Sequence, residues 1–172
     1  MTEEIKKIIK SLEGNVVAFG FKGEKFSSIL NSNPKIISFD ILDEISKKRN
    51  KQKGKQKTIT INKLRKKYKK KNIDTILIDV DVMNEHMIYL IKETIYIGKN
   101  NLYLFGTEEN VRNNLNRYQR YNIKSEEKKY NKNLVVKIDI TNSKNNKFKD
   151  KYYILKDKIN IFLSLIRDIL TS

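Results

Sequence analysis

IDTILIDVDVMNEHMIYLIKETIYIGKNNLYLFG, residues 73–106, decides the fold. Its opening, 73–81, is an isoleucine-rich apolar run of the kind a strand covered on both faces requires, and it ends on Asp79-Val80-Asp81. From 84 to 97, Met87, Leu90, Ile91, Thr94 and Ile95 recur at helical spacing, and Gly98 supplies a stop. LYLFG, 102–106, reads as another strand. Two strands joined by a helix pack back on one sheet only as a right-handed parallel crossover.

Working outward, the same alternation continues toward the N-terminus. Residues 2–13 set Ile5, Ile8, Ile9 and Leu12 on one helical face, with Glu3 and Glu4 in the first turn and Gly14 to end it. NVVAFGF, 15–21, is a strand buried on both faces, and Gly20 and Gly23 bracket the turn after it. Phe26, Ile29 and Leu30 give a short helical face, Asn33-Pro34 breaks it, and KIISFD, 35–40, is a second buried strand. A short helix is expected over 41–49. The polar stretch from 47 to 57 has nothing to bury and is expected to be a mobile basic loop. KTITI, ending at Ile61, is a β-branched strand, and Asn62 is placed to cap a helix carrying Leu64 and Tyr68.

Beyond the fifth strand, Val111, Leu115 and Tyr118 mark a helix. LVVKIDIT and KYYILK are then expected as two extended runs forming an antiparallel pair, before a closing helix from Asp157 to Leu170. The resulting fold class is α/β: a three-layer α/β/α sandwich with a mostly parallel, Rossmann-like sheet and an antiparallel strand pair near the C-terminus. One domain spans 1–172, with its N-terminal helix in 1–14.

Composition narrows the chemistry. The 172 residues contain no Cys, which excludes disulfides, thiolate metal sites and cysteine nucleophiles. No apolar run approaches the length of a membrane span, and the first residues lack a signal-peptide core, so the expectation is a cytoplasmic protein without a membrane span. The formal charge of +17 is unevenly spread. Between Glu44 and Asp74 there is no acid, while 47–71 holds fourteen Lys or Arg; the remaining 23 basic residues nearly balance 20 acids. A positive stretch built by Lys63, Arg65, Lys66, Lys67, Lys69 and Lys70 suits a polyanion, RNA above all, as well as it suits a merely solvated face. Arg112, Arg117, Tyr118, Arg120 and Tyr121 offer a second patch where rings could stack on bases, unless those tyrosines belong to the core.

In open parallel sheets a ligand sits beyond the carboxyl ends of the strands, with a glycine turn after the first and a ribose-binding acid at the end of the second. Gly20, Gly23 and Asp40 occur in that order. On these residues and the 73–106 block, the chain resembles the class I S-adenosylmethionine-dependent methyltransferases over about 15–155. The resemblance implies S-adenosylmethionine as cofactor, VVAFGFKG as its loop with Gly20 and Gly23, Asp40 on the ribose, Asn62 beside the adenine, and Asp79 with Asp81 at the edge of the active site. It departs from the family where Ala18 stands in place of an acid and Phe21-Lys22 crowd the turn. A non-catalytic Rossmann-like binding or assembly module is therefore the second reading.

Two further residues carry alternatives. Asp79 and Asp81, on one side of an extended strand, would hold Mg²⁺ or orient an acceptor, or else cap the following helix; capping is the expectation, so no metal is expected. His86, the only histidine, stands where a general base could, or is an ordinary helix residue facing water.

Overall fold

The computed structural model describes residues 2–21, 33, 36–41, 57–59, 61–143 and 147–171. Among the described residues, seven strands form one sheet: β1 (Val16–Phe19), β2 (Ile36–Ile41), β3 (Lys57–Ile59), β4 (Ile73–Asp79), β5 (Gly98–Thr107), β6 (Lys124–Tyr130) and β7 (Asn133–Asp139). Their spatial order is β3-β2-β1-β4-β5-β7-β6. The first five are parallel, and β7 runs antiparallel to both β5 and β6. The order reverses between β1 and β4, the switch point at which an open sheet forms its crevice.

Period two assigns the faces. Val16 and Ala18, with Leu77, Phe105 and Val135, pack beneath Ile5 and Ile9 of α1 (Thr2–Lys10). Val17, Phe19, Ile76, Ile78, Leu102 and Leu104 turn the other way. They meet α2 (Ile61–Lys67), α4 (Met87–Ile97) and α5 (Glu108–Gln119) through Leu64, Leu90, Ile91 and Leu115. Both faces of the central strands are dry, as their continuous apolar sequence demands. A single turn, α3 (Val80–Met83), and a 3-10 turn (Asn84–His86) connect β4 to α4.

Several expectations change. The 73–81 run stops as a strand at Asp79, and Asp81 lies in α3 because Asp79 caps that turn through Oδ1, accepting from the backbone N–H groups of Asp81 (3.1 Å) and Val82 (3.3 Å). Asn62 is the second residue of α2, which starts at Ile61, rather than the residue before it. The antiparallel pair exists, but its members are KSEEKKY and NLVVKID. KYYILK belongs to α6 (Lys147–Thr171), which begins ten residues before the expected Asp157. β6 is exposed on both faces from Lys124 to Lys129 and owes its extension to pairing with β7 alone, so no apolar alternation marks it. Ile41, expected to start a helix, is the last residue of β2, and Lys57, expected to end the basic loop, opens β3; the helical face at 26–30 and residues 42–56 lie outside the described residues. Among the described residues, no helix is long and apolar enough to cross a membrane.

Candidate functional site

The strand register gathers the candidate residues at the carboxyl rim. Phe19 is level with Phe39 of β2 and with Ile78 of β4, so Asp40, Gly20 and Asp79 each follow the last rung that β1 shares with its neighbours, and Phe105 of β5 lies opposite Asp79. Asp40 is the penultimate residue of β2 and pairs with Thr58 of β3, which leads into Asn62 on α2. Gly20, Asp40 and Asn62, chosen from the sequence for a cofactor, and Asp79, chosen for the edge of the active site, thus all follow the carboxyl ends of strands at one rim of the sheet. Gly23 lies outside the described residues.

Gly20 has a φ of +82°, a conformation that side-chain-bearing residues rarely adopt. A Cβ there would lie 2.8 Å from Met83 Cγ and 3.0 Å from the Asp79 carbonyl oxygen. The glycine therefore lets β1 close against the end of β4, and Met83 occupies the space its missing side chain leaves. Phe21 then turns inward: it is buried, and its ring meets Phe105 edge-on at 5.6 Å. The residue that interrupts the expected glycine loop is a core residue under α1.

The two acids at the rim are both engaged. Burial pushes the Asp79 carboxyl up to about 6; the Val82 N–H opposes that rise, and the neighbouring Asp81 charge adds to it. Asp81 ties the end of β4 to the start of α5. Its Oδ2 accepts from the Thr107 N–H (2.8 Å), and its Oδ1 accepts from the Thr107 hydroxyl (2.8 Å) and the Asn110 amide (2.7 Å). This clasp was not readable from sequence, since nothing local links Asp81 to Thr107 and Asn110. No group of three or more His, Cys, Asp or Glu that could hold a metal occurs among the described residues. His86 is half-buried in the 3-10 turn, and its side chain makes no cap bond to α4.

The basic stretch divides in two. Lys63, Lys66, Lys67, Lys69 and Lys70 are exposed on α2 and just after it. Arg65 instead turns inward, pairing through Nε with the buried carboxylate of Glu93 on α4 and lying 4.4 Å above the Tyr96 ring. It pins α2 to α4. Lys71 also serves the fold, its Nζ donating to the Ile140 carbonyl at 2.9 Å and to Ser143 Oγ at 3.1 Å, and burial lowers its ammonium below the usual lysine range.

The second patch dissolves into structure. Tyr118 is fully buried and shares a 2.8 Å hydrogen bond with Thr94 Oγ1, and Tyr121 is buried beside it in the core. Arg120 makes a two-pronged pair with Asp157 of α6 (3.0 and 2.9 Å), with Arg117 3.8 Å from the same carboxylate. Arg112 is held by Glu108 and Glu127.

No protein-family model matches the sequence, and no curated protein matches it. Solved structures do match. A precorrin-6y C5,15-methyltransferase from Geobacter metallireducens superposes with a TM-score of 0.52 at 11% identity, covering 79% of this chain and 87% of that one. An S-adenosylmethionine-dependent methyltransferase from Archaeoglobus fulgidus gives 0.51 at 11% identity, covering 80% and 92%. A protein assigned as a type 11 methyltransferase from Sulfolobus solfataricus gives 0.53 at 12% identity, covering 84% and 92%. The fold is the methyltransferase-like Rossmann fold of these structures, a mostly parallel sheet with an antiparallel end. At these identities the likeness is one of fold.

Proposed function

We propose that this chain binds S-adenosylmethionine at the carboxyl rim and acts on RNA as a methyltransferase. The observation that carries the reading is the placement of Asp40, Gly20 and Asp79 one residue past the last rung of β1, beside the switch point of the sheet. Gly20 and Gly23 would hold the cofactor's amino-acid end, Asp40 its ribose hydroxyls and Asn62 its adenine. A glycine turn after β1 and an acid near the end of β2 are what such a group calls for at this rim. Bound there, the cofactor supplies an activated methyl group on a sulfonium, so the protein's task is to align the acceptor rather than to move many protons. Asp79, with its carboxyl raised to about 6, would exchange a proton near neutral pH at the edge of that site, and Asp81 would keep the β4 end in place. The exposed lysines at 63, 66, 67, 69 and 70 would hold the phosphate backbone.

A specific observation favours the second reading, a non-catalytic Rossmann-like binding or assembly module. Met83 already fills the space that Gly20 leaves open, and Phe21 is committed to the core. Calorimetry with S-adenosylmethionine separates the two. The enzymatic reading expects saturable binding that Asp40→Ala weakens at least about tenfold, roughly the value of one charge-assisted hydrogen bond. No heat and no density in co-crystals at millimolar cofactor would leave the module. For RNA, changing the five exposed lysines to Gln is expected to abolish filter retention at moderate salt and to flatten the salt dependence by about 0.7 in log–log slope for each single-strand phosphate that is no longer neutralised. Unchanged retention removes RNA from both readings.

A further inference from the structure

The C-terminal helix presents one face to the domain and another to water. Asp157 is buried under Arg117 and Arg120, and Tyr153, half-buried, lies with its ring 4.9 Å below the Arg120 guanidinium. The opposite face carries Tyr152, Leu155, Ile159, Phe162, Ile166 and Ile169, which are between 37 and 73% exposed. Their spacing alternates strictly between three and four residues. Counted as a heptad with Tyr152 at a, every a and d position from 152 to 169 is apolar, and Asp157 falls at f, directly behind the seam. From Lys158 onward every described side chain of the helix is exposed.

We infer that α6 is the self-association surface of this protein, pairing antiparallel with α6 of a second copy. The seam is symmetric about its midpoint. Reversing one helix stacks Tyr152 on Ile169, Leu155 on Ile166 and Ile159 on Phe162, an a residue meeting a d residue in all six layers. The flanking e and g positions choose the direction. They are Lys151, Lys156 and Lys158 in the first half, while those of the second half, Leu163 among them, are uncharged. A parallel pair sets the Lys151 of each chain against the Lys156 of the other, two like-charge contacts in a chain already at +17. An antiparallel pair sets every one of these lysines against an uncharged position of its partner. Lys156 then meets Leu163, e against e, its stem lying along the apolar side chain and its ammonium staying in water. The two-fold axis crosses the helices between Asn160 and Ile161, and the clasped position, Asp157, lies behind the seam of each helix.

Sedimentation equilibrium of the full chain over the micromolar range is expected to show a dimer. Leu155→Glu with Ile159→Glu is expected to give a monomer with unchanged cooperative melting, whereas Asn160→Glu, outside the seam, leaves the dimer intact. Because the chain lacks cysteine, Lys151→Cys provides a unique spin-label site. Antiparallel pairing separates the two labelled backbones by about 28 Å along the helices, against roughly 10 Å side by side in a parallel pair. A monomer at about 100 µM, a dimer that survives the seam double variant, or a short label distance overturns the proposal. So does binding to vesicles of phosphatidylserine and phosphatidylcholine by a chain that stays monomeric without them, which would make the seam a membrane-facing surface.

Discussion

Two charged stretches look equally suggestive in the sequence, and the structure treats them in opposite ways. The acids at 79–81 are absorbed by the fold: Asp79 caps α3, and Asp81 receives two side chains and one backbone N–H across the rim. The bases at 63–70 stay exposed, except Arg65, which is drawn in by Glu93 and Tyr96. What separates them is the availability of partners. A carboxylate at the end of a parallel strand meets the N–H groups of the next helix and the neighbouring loop, whereas a lysine on an outward helix face keeps its ammonium hydrated.

The sharpest way to break this comparison is Glu93→Ala, which leaves the Arg65 guanidinium partly buried without its anion. A loss of about 2–3 kcal/mol is expected, read as a lower urea midpoint at constant slope; no loss would mean that the inward turn of Arg65 contributes nothing to the fold. Next comes Asp81→Ala, expected to cost about 1–2 kcal/mol, because three hydrogen bonds vanish but water replaces some of them at an exposed residue. If Asp81 contributed only to chemistry, its removal would leave the melting curve unchanged.

Asp79→Asn tests the pH dependence. The folded carboxyl titrates near 6, above its usual value of 3.8, so the native state binds the proton more tightly and wild-type stability declines as pH rises from about 4 to 6. Asparagine caps nearly as well and does not titrate. The variant should gain on the wild type between pH 4 and pH 7, and a constant difference in unfolding free energy across that range contradicts the raised carboxyl. The smallest effect belongs to the lysines: replacing the five exposed ones by Gln should change stability by no more than about 0.5 kcal/mol by denaturant unfolding.

The centre of the sheet was legible because its strands are covered on both faces and therefore write their burial into continuous apolar runs: VVAF, IDTILID and LYLF. Amphipathic α1 and α5 were legible through period 3.6. KSEEKKY was not, since a two-sided exposed edge strand has no apolar face to announce it. KYYILK misled because a short run rich in tyrosine, isoleucine and leucine suits a strand, and only its continuation through Ile159, Phe162 and Ile166 reveals the helical period. At the rim, the placement of Gly20, Asp40 and Asp79 after neighbouring strands followed from their order along the chain. The Asp81–Thr107–Asn110 clasp and the Phe21–Phe105 contact join residues far apart in sequence and left no local trace.

By itself, then, the chain determined which segments become central strands, the order in which they cross, and where its positive charge is concentrated, since burial and helical amphipathicity are properties of neighbours along the sequence. Tertiary structure alone decided what each charged group does: which arginines turn inward, which acids become caps, and which apolar helix face is left for another molecule. Those outcomes depend on the atoms that long-range packing brings within hydrogen-bonding or van der Waals distance, and no residue's identity specifies them in isolation.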